Sequence, residues 1–221
     1  MNCKLIGSFI QHLEVELMPG EEFYAQKGAL IYLEQGVEKE TVLNSGGSNK
    51  GALGAIGNLI GAKLSGESIF LVHYVNRSNS ARKLVLGGAF GLLPVKLQNE
   101  SILCHKGVFV ASNNLVQVTT RVSVAGIMGG MGVFLQRISG SSTVFLDCKG
   151  QALTKELSYG ETIEVDEDHI IALQGISEGQ LSSAWSLKNV FGGEGLSMLR
   201  ITGPGRVHLS PGNLNPAILE V

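Results

Sequence analysis

The stretch Gly195-Leu-Ser-Met-Leu-Arg-Ile-Thr-Gly-Pro-Gly-Arg-Val-His-Leu209 decides the fold, because degraded copies of it occur twice earlier in the chain. A short apolar run is followed by Gly203-Pro204-Gly205, which is typical of a turn, and then by a second short run. The stretch therefore predicts two strands joined by a tight connection. Phe191-Gly-Gly-Glu194 precedes it and supplies backbone freedom for a sharp entry.

The earlier copies align with this stretch almost residue for residue. Gly132-Val-Phe-Leu-Gln-Arg-Ile-Ser-Gly-Ser-Ser-Thr-Val-Phe-Leu146 matches it without a gap, 63 residues earlier, and Ser68-Ile-Phe-Leu-Val-His-Tyr-Val-Asn76 lies a further 64 residues back. The alignment makes three basic residues equivalent: His73, Arg137 and Arg200. A shorter motif precedes each copy, and its glutamates also coincide: Glu21, Glu100 and Glu161.

These repeats predict the domain organisation. The first two glutamates lie 79 residues apart, so the first unit carries an insertion, which we place at the glycine-rich stretch 44–57. We predict one all-β domain over residues 1–221, built from three pseudo-symmetric units at about 9–90, 91–155 and 156–211. Short strands separated by glycine turns are typical of a β-sandwich, a barrel or a β-helix-like prism.

Composition narrows the class of protein. The formal charge of −2 and pI near 6.2 come without runs of like charge, which argues against nucleic-acid binding. Cys3, Cys104 and Cys148 are odd in number and far apart, so we expect three reduced thiols rather than a disulfide framework or a zinc site. No secretory leader and no apolar run of about 18 residues is present, so we expect a cytoplasmic protein without a transmembrane segment.

Several motifs invite a chemical interpretation that their context does not support. Gly193-Glu-Gly195 and Gly129-Gly-Met-Gly132 lack the G-x-G-x-x-G continuation and are better interpreted as turns. The stretch Glu164–His169 is dense in oxygen and imidazole ligands, but a solvated hairpin tip is the favoured interpretation over a cation site. The histidines at 12, 105 and 208 lack a carboxylate or serine at recognisable spacing. We therefore assign no catalytic, cofactor-binding or metal residue.

Two sets of residues remain as candidate binding surfaces. If His73, Arg137 and Arg200 converge on a pseudo-threefold axis, they can hold an anion through charge-assisted hydrogen bonds; an outer, solubilising position is the favoured interpretation. The segment 52–64 has Gly57 and Gly61 four residues apart and is too short for a membrane span. We interpret it as closely packed or as a subunit interface, with membrane-surface contact left open. Its candidate interface residues are Gly54, Ile56, Gly57, Leu59, Ile60 and Gly61.

Several of these motifs resemble one known family. Ala25-Gln-Lys-Gly-Ala-Leu-Ile-Tyr32, Leu103-Cys-His-Lys-Gly-Val-Phe-Val-Ala111, Leu64-Ser-Gly-Glu-Ser-Ile-Phe-Leu71 and the stretch 191–207 are similar to the altered-inheritance-of-mitochondria protein and its bacterial homologues, a domain of unknown function. The resemblance implies a fold similar to the tryptophan RNA-binding attenuation protein, with three β-rich repeats about a pseudo-threefold axis. It brings no catalytic residues with it.

The leading functional hypothesis is a non-enzymatic β-repeat scaffold or binding protein that self-associates through exposed strands and the glycine-rich insertion. One alternative is a small-ligand enzyme or hydrolase with its site between repeats. A deep pocket joining His73 or His208 to a carboxylate would favour that alternative. The other is RNA binding, which rests on fold analogy alone.

Overall fold

A computed structural model of the protein describes residues 1–44, 69–88, 90–123, 134–183 and 198–214. These residues are almost entirely β-structure, which confirms the predicted all-β class. The strands are β1 (Asn2–Ile6), β2 (His12–Leu17), β3 (Glu22–Gln26), β4 (Leu30–Leu33), β5 (Val37–Asn44), β6 (Ile69–Asn76), β7 (Arg82–Gly87), β8 (Gly91–His105), β9 (Phe109–Ser112), β10 (Gln117–Ser123), β11 (Phe134–Cys148), β12 (Leu153–Leu157), β13 (Thr162–Asp166), β14 (Ile170–Gln174), β15 (Leu181–Ser183), β16 (Met198–Thr202) and β17 (Gly205–Leu209). Single 3₁₀ turns lie at Glu167–His169 and Glu178–Gln180.

Alternating apolar side chains determine which face of each strand is buried. On β2, Leu13, Val15 and Leu17 are fully buried, whereas Glu14 and Glu16 between them remain partly exposed. This period of two is the signature of a strand with one face against the core. All of the described strand pairs are antiparallel, and they form one ten-stranded sheet flanked by a four-stranded and a three-stranded sheet.

The same pairing pattern occurs in each of the three units. In unit one β7 lies between β2 and β4, and β6 lies between β3 and β5. In unit three β17 lies between β12 and β14, and β16 lies between β13 and β15. In unit two β11 fills both central places, because its two halves pair with β8, β9 and β10.

One part of the sequence interpretation is wrong in detail. Separate strands were expected at 92–97 and 101–104, and again at 133–138 and 143–148, whereas each pair forms one continuous strand, β8 or β11. The reason is that unit two lacks a full turn between them. Asn99, at a φ of 56°, has no register partner, so the strand bulges there and continues. The turns of units one and three place Gly20 and Gly160 at this position, with φ values of 80° and 76°.

The buried apolar side chains form three clusters. One contains Phe23 and Tyr74 from unit one, a second contains Ile102 and Leu146 from unit two, and the third is made largely by unit three around Ile201. Neighbouring units share these clusters, since Phe145 of unit two packs in the first. The single domain, the pseudo-threefold symmetry and the likeness to the tryptophan RNA-binding attenuation protein stay predictions.

Candidate functional site

His73 lies at the centre of an acidic group on the ten-stranded sheet. It occupies β6, and its register partners are Tyr24 on β3 and Glu40 on β5. Its Nδ1 is 3.0 Å from Glu40 Oε1, and its Nε2 is 3.2 Å from Glu22 Oε2. The Tyr24 ring stacks on the imidazole with centroids 4.7 Å apart and planes 11° from parallel. The histidine is only 7% exposed, so the strands hold its ring in one orientation.

Tyr24 connects this group to a surface pocket. Its hydroxyl donates to Glu22 Oε2 at 3.0 Å. Burial raises the pKa of Tyr24 to about 12, and the hydrogen bond and negative charge of Glu22 act in the same direction. The phenol therefore stays protonated at neutral pH. The adjoining pocket has a volume of about 310 Å³ and is lined by Met1, Glu21, Glu22, Tyr24, Asn113, Asn114 and Leu115. Its side chains are acidic or neutral, which suits a cationic or neutral ligand rather than an anion.

The structure gives each of the three equivalent basic residues its own carboxylate. Arg137 pairs with Glu178, and its Nη1 is 3.3 Å from Ser101 Oγ. Arg200 donates to Glu164 Oε1 at 2.7 Å. No ion pair or hydrogen bond found in the described ranges joins His73, Arg137 and Arg200 to one another. Their charges are balanced locally, which supports the outer, solubilising interpretation; convergence on an anion stays a prediction.

The remaining histidines do not assemble a catalytic group in the described ranges. His208 Nδ1 is 3.0 Å from Thr154 Oγ1, and burial, followed by the charge of Arg206, lowers the pKa of His208. His105 Nδ1 lies 2.9 Å from the carbonyl oxygen of Lys106, and His12 is 3.9 Å from Glu14. A histidine joined to a carboxylate therefore occurs at His73, but His73 itself does not line the adjoining pocket.

The acidic stretch at 164–169 is used for local structure. Glu164 pairs with Arg200, Asp166 accepts a hydrogen bond from the Asp168 backbone, and His169 Nδ1 lies 2.7 Å from the carbonyl oxygen of Ser210. In the part of the chain that the structure describes, no group of three ligating side chains could hold a metal ion. The candidate interface residues Gly54, Ile56, Gly57, Leu59, Ile60 and Gly61 lie outside the described residues.

A strand edge stands out as an interaction surface that sequence reasoning missed. We call residues Leu30–Leu33 the β4 edge, since β4 ends the four-stranded sheet and pairs only with β7 among the described strands. Ile31 is 58% exposed and Tyr32 is 46% exposed, although the run Leu-Ile-Tyr-Leu has the composition of a core strand. An exposed apolar edge without charge or proline is a template for pairing with another strand.

Comparison with its repeat equivalents shows how unusual this exposure is. Both β9 and β14 pair with a second strand on the outer side, β3 and β8 respectively. Ile31 corresponds by position to Val110 on β9 and Ile171 on β14, which are 1% and 0% exposed. The signal was present in the sequence, because a chain of three such units leaves the outer side of this strand in its first unit without a preceding unit to pair with.

The described helices include none with the length and apolar content needed to cross a bilayer. Comparisons with known proteins place the chain in context. Residues 3–212 match the family described as Mitochondrial biogenesis AIM24. An uncharacterised protein of Streptococcus pyogenes serotype M6 is 27% identical over 164 residues, which cover 72% of this chain and 64% of that protein. The chain thus matches somewhat under two-thirds of that relative's length.

A solved structure supports the fold. The crystal structure of a Streptococcus pyogenes protein matches with a TM-score of 0.67 and 22% identity, covering 96% of this chain and 94% of that chain. At this identity the likeness shows a shared fold and carries no information on function.

Proposed function

This chain belongs to the Mitochondrial biogenesis AIM24 family, and we propose that it is a non-enzymatic β-repeat scaffold or binding protein that assembles with copies of itself. The observation that carries the proposal is the β4 edge. Ile31 and Tyr32 present apolar surface and a free side of a strand, where the equivalent strands of units two and three are covered on both sides. Covering this edge would remove apolar area from water and satisfy backbone groups together.

The size of the effect sets the strength of assembly. Burying an isoleucine or tyrosine side chain that is about half exposed contributes roughly 1–2 kcal/mol. One kcal/mol or slightly more corresponds to about a tenfold change in affinity. A single charged substitution on this edge should therefore weaken association by at least tenfold, because it adds the desolvation of a charge to the lost apolar contact.

The test is light scattering coupled to size-exclusion chromatography over a range of concentrations. We expect the unchanged protein to elute as an oligomer and Ile31→Lys to shift toward the monomer. Leu153→Lys is the matched control, because Leu153 is 61% exposed and also lies on an edge strand, β12. This control should leave the oligomer unchanged. A monomeric unchanged protein, or equal loss of assembly in both variants, would contradict the proposal.

The acidic pocket beside Tyr24 favours a second candidate, binding of a small cationic or neutral ligand. The pocket joins Glu22 and the Tyr24 hydroxyl, and the buried His73 contacts the same glutamate from behind. A carboxylate held between a phenol and an imidazole is pre-oriented for a ligand donor. Native mass spectrometry of the purified protein would detect retained mass, and Glu22→Gln should abolish it. RNA binding rests on fold analogy alone, and the formal charge of −2 gives it no support.

A further inference from the structure

Two strands of the repeat pattern lack the neighbour that their equivalents have. Each junction between units joins the strand after the unit's conserved glutamate to a strand of the next unit. β3 pairs with β9, and β8 pairs with β14. The third junction of this kind would join β13 to β4, but these two strands end separate sheets in the described structure.

These two edges differ from the other sheet edges. The strands β5, β10 and β15 hold the same place in the three units, and each pairs with one neighbour among the described strands. Their single pairing is therefore a property of the repeat. In contrast, β4 and β13 are unpaired on one side only because they belong to the first and last units.

We propose that β13 of one copy pairs with β4 of a second copy, so that the missing junction is formed between molecules. This inference rests on the proposed self-association and names the two surfaces that meet. Each copy supplies one β4 and one β13, so the contact is head to tail and a closed ring of copies leaves neither edge free.

The β4 edge carries the local geometry that its paired equivalents have. Ile31 is skipped in the register between β4 and β7, as Val110 is between β9 and β11 and Ile171 is between β14 and β17. A bulge at the same place gives the three strands the same local bend. Since β9 and β14 each accept a second strand beyond this bulge, β4 has the shape to do so.

The paired junctions also specify the register. Tyr24 lies opposite Ser112 and Ala25 opposite Ala111, while Leu103 lies opposite Leu173 and Cys104 opposite Ala172. Glu164 is the equivalent of Tyr24 and Leu103, because these three face His73, Arg137 and Arg200 across the neighbouring strand. The same offsets place Glu164 opposite Leu33 and Val165 opposite Tyr32 of the second copy.

This register makes chemical sense for the side chains involved. Ala25 and Ala111 share one apolar cluster, and Cys104 and Ala172 share another. Val165 belongs to the third cluster, so Tyr32 of the second copy would extend it and lose its exposure to water. The carboxylate of Glu164 on β13 is already paired with Arg200 and does not need to be left unpaired at the junction.

A disulfide between copies tests the pairing and its register. Residues directly opposite each other in an antiparallel pair have Cα atoms roughly 4.5–5.5 Å apart, which a disulfide spans. Full-length Tyr32→Cys and Val165→Cys proteins are prepared separately, mixed, oxidised mildly and separated without reductant. We expect a dimer band at least fivefold stronger than in either variant oxidised alone, which controls for the three natural cysteines. Tyr32→Cys mixed with Ile163→Cys, two residues out of register, should give at least fivefold less.

The outcomes separate this inference from the function on which it rests. Oligomers in light scattering without the cross-link would overturn the β4 and β13 pairing and leave self-association standing. A monomer in light scattering, with no dimer band from the mixture, would overturn both. In the double variant Tyr32→Cys/Val165→Cys, a disulfide confined to single chains would also overturn the inference, because it would place the junction within one molecule.

Discussion

Arg200 and Glu164 lie directly opposite each other on neighbouring strands, and the guanidinium donates from both Nε and Nη2 to one carboxylate oxygen, at 3.2 and 2.7 Å. Both side chains are close to half exposed. A pair of this kind gains little in water, because the charges are screened and two long side chains lose freedom. Its role in the account is to neutralise the middle of β13, the strand that we propose meets a second copy.

Glu164→Gln should therefore change stability only slightly. We expect a loss of under about 1 kcal/mol in the free energy of unfolding, as for other exposed pairs. Urea unfolding followed by circular dichroism measures this. The Arg206–Glu156 pair, with an N–O distance of 2.8 Å on neighbouring strands, provides the matched control Glu156→Gln. A loss of several kcal/mol at Glu164 alone would show that the pair is more than a surface contact.

Asn99 tests the equivalence of the units. Its φ of 56° falls where Gly20 and Gly160 stand in the other two units. Asparagine tolerates this left-handed conformation better than alanine, and glycine adopts it without a Cβ penalty. Asn99→Ala should lower the free energy of unfolding by about 1 kcal/mol, whereas Asn99→Gly should leave it within about 0.5 kcal/mol. Equal losses in both variants would mean that the asparagine side chain, rather than its backbone conformation, is what matters.

His208 predicts a pH dependence of stability. Its pKa in the folded protein is lowered, first by burial and then by Arg206. The unfolded chain therefore binds a proton at this residue more readily than the folded protein. The contribution is present above the ordinary histidine pKa near 6.5 and is lost as pH falls from there to the lowered value. Urea unfolding at pH 7.5 and pH 5.5 should show lower stability at the acid value.

Two variants assign that loss to the ring. His208→Gln should reduce the difference in stability between pH 7.5 and pH 5.5. Thr154→Val removes the hydrogen-bonding partner at 3.0 Å but keeps the imidazole, so it should lower stability at both pH values and preserve the difference. An unchanged pH difference in His208→Gln would contradict the assignment.

The cysteines predict slow thiol chemistry. All three are free thiols, and burial raises the pKa of Cys104 to about 12 and those of Cys3 and Cys148 to about 11. Since the thiolate is the reactive form, labelling at pH 8 should be slow in the folded protein, and slowest at Cys104. All three should react at once in 6 M guanidinium, on the order of a fully denaturing concentration. A thiol that labels rapidly in the folded protein would contradict the placement of that cysteine.

The fold was accessible from sequence where a local pattern determines structure. Leu13, Val15 and Leu17 alternate with glutamates, and that alternation alone predicts β2. The repeat predicted that His73, Arg137 and Arg200 hold the same place, and each does lie opposite the equivalent residue of its partner strand. The continuity of β8 was not predicted, because nothing in the motif around Asn99 separates a bulge from a turn.

The contacts made by side chains were not accessible in the same way. The partners of His73 come from residues 22 and 40, on two different strands, and strand register rather than sequence spacing brings them together. Ile31 shows the other difficulty. Its neighbours in the sequence are typical of a buried strand, and its exposure depends on which strand pairs beyond it, which is a property of the assembled sheets.

Native mass spectrometry of the full chain at low micromolar concentration tests the central claim, self-association, most directly, since it gives the subunit count and any retained small molecule together. We predict one closed oligomer without added ligand mass for the unchanged protein, and the monomer as the main species for Ile31→Lys. A bare monomer of the unchanged protein under gentle conditions would contradict self-association through the β4 edge. A retained mass would instead favour the pocket beside Tyr24 as the functional site.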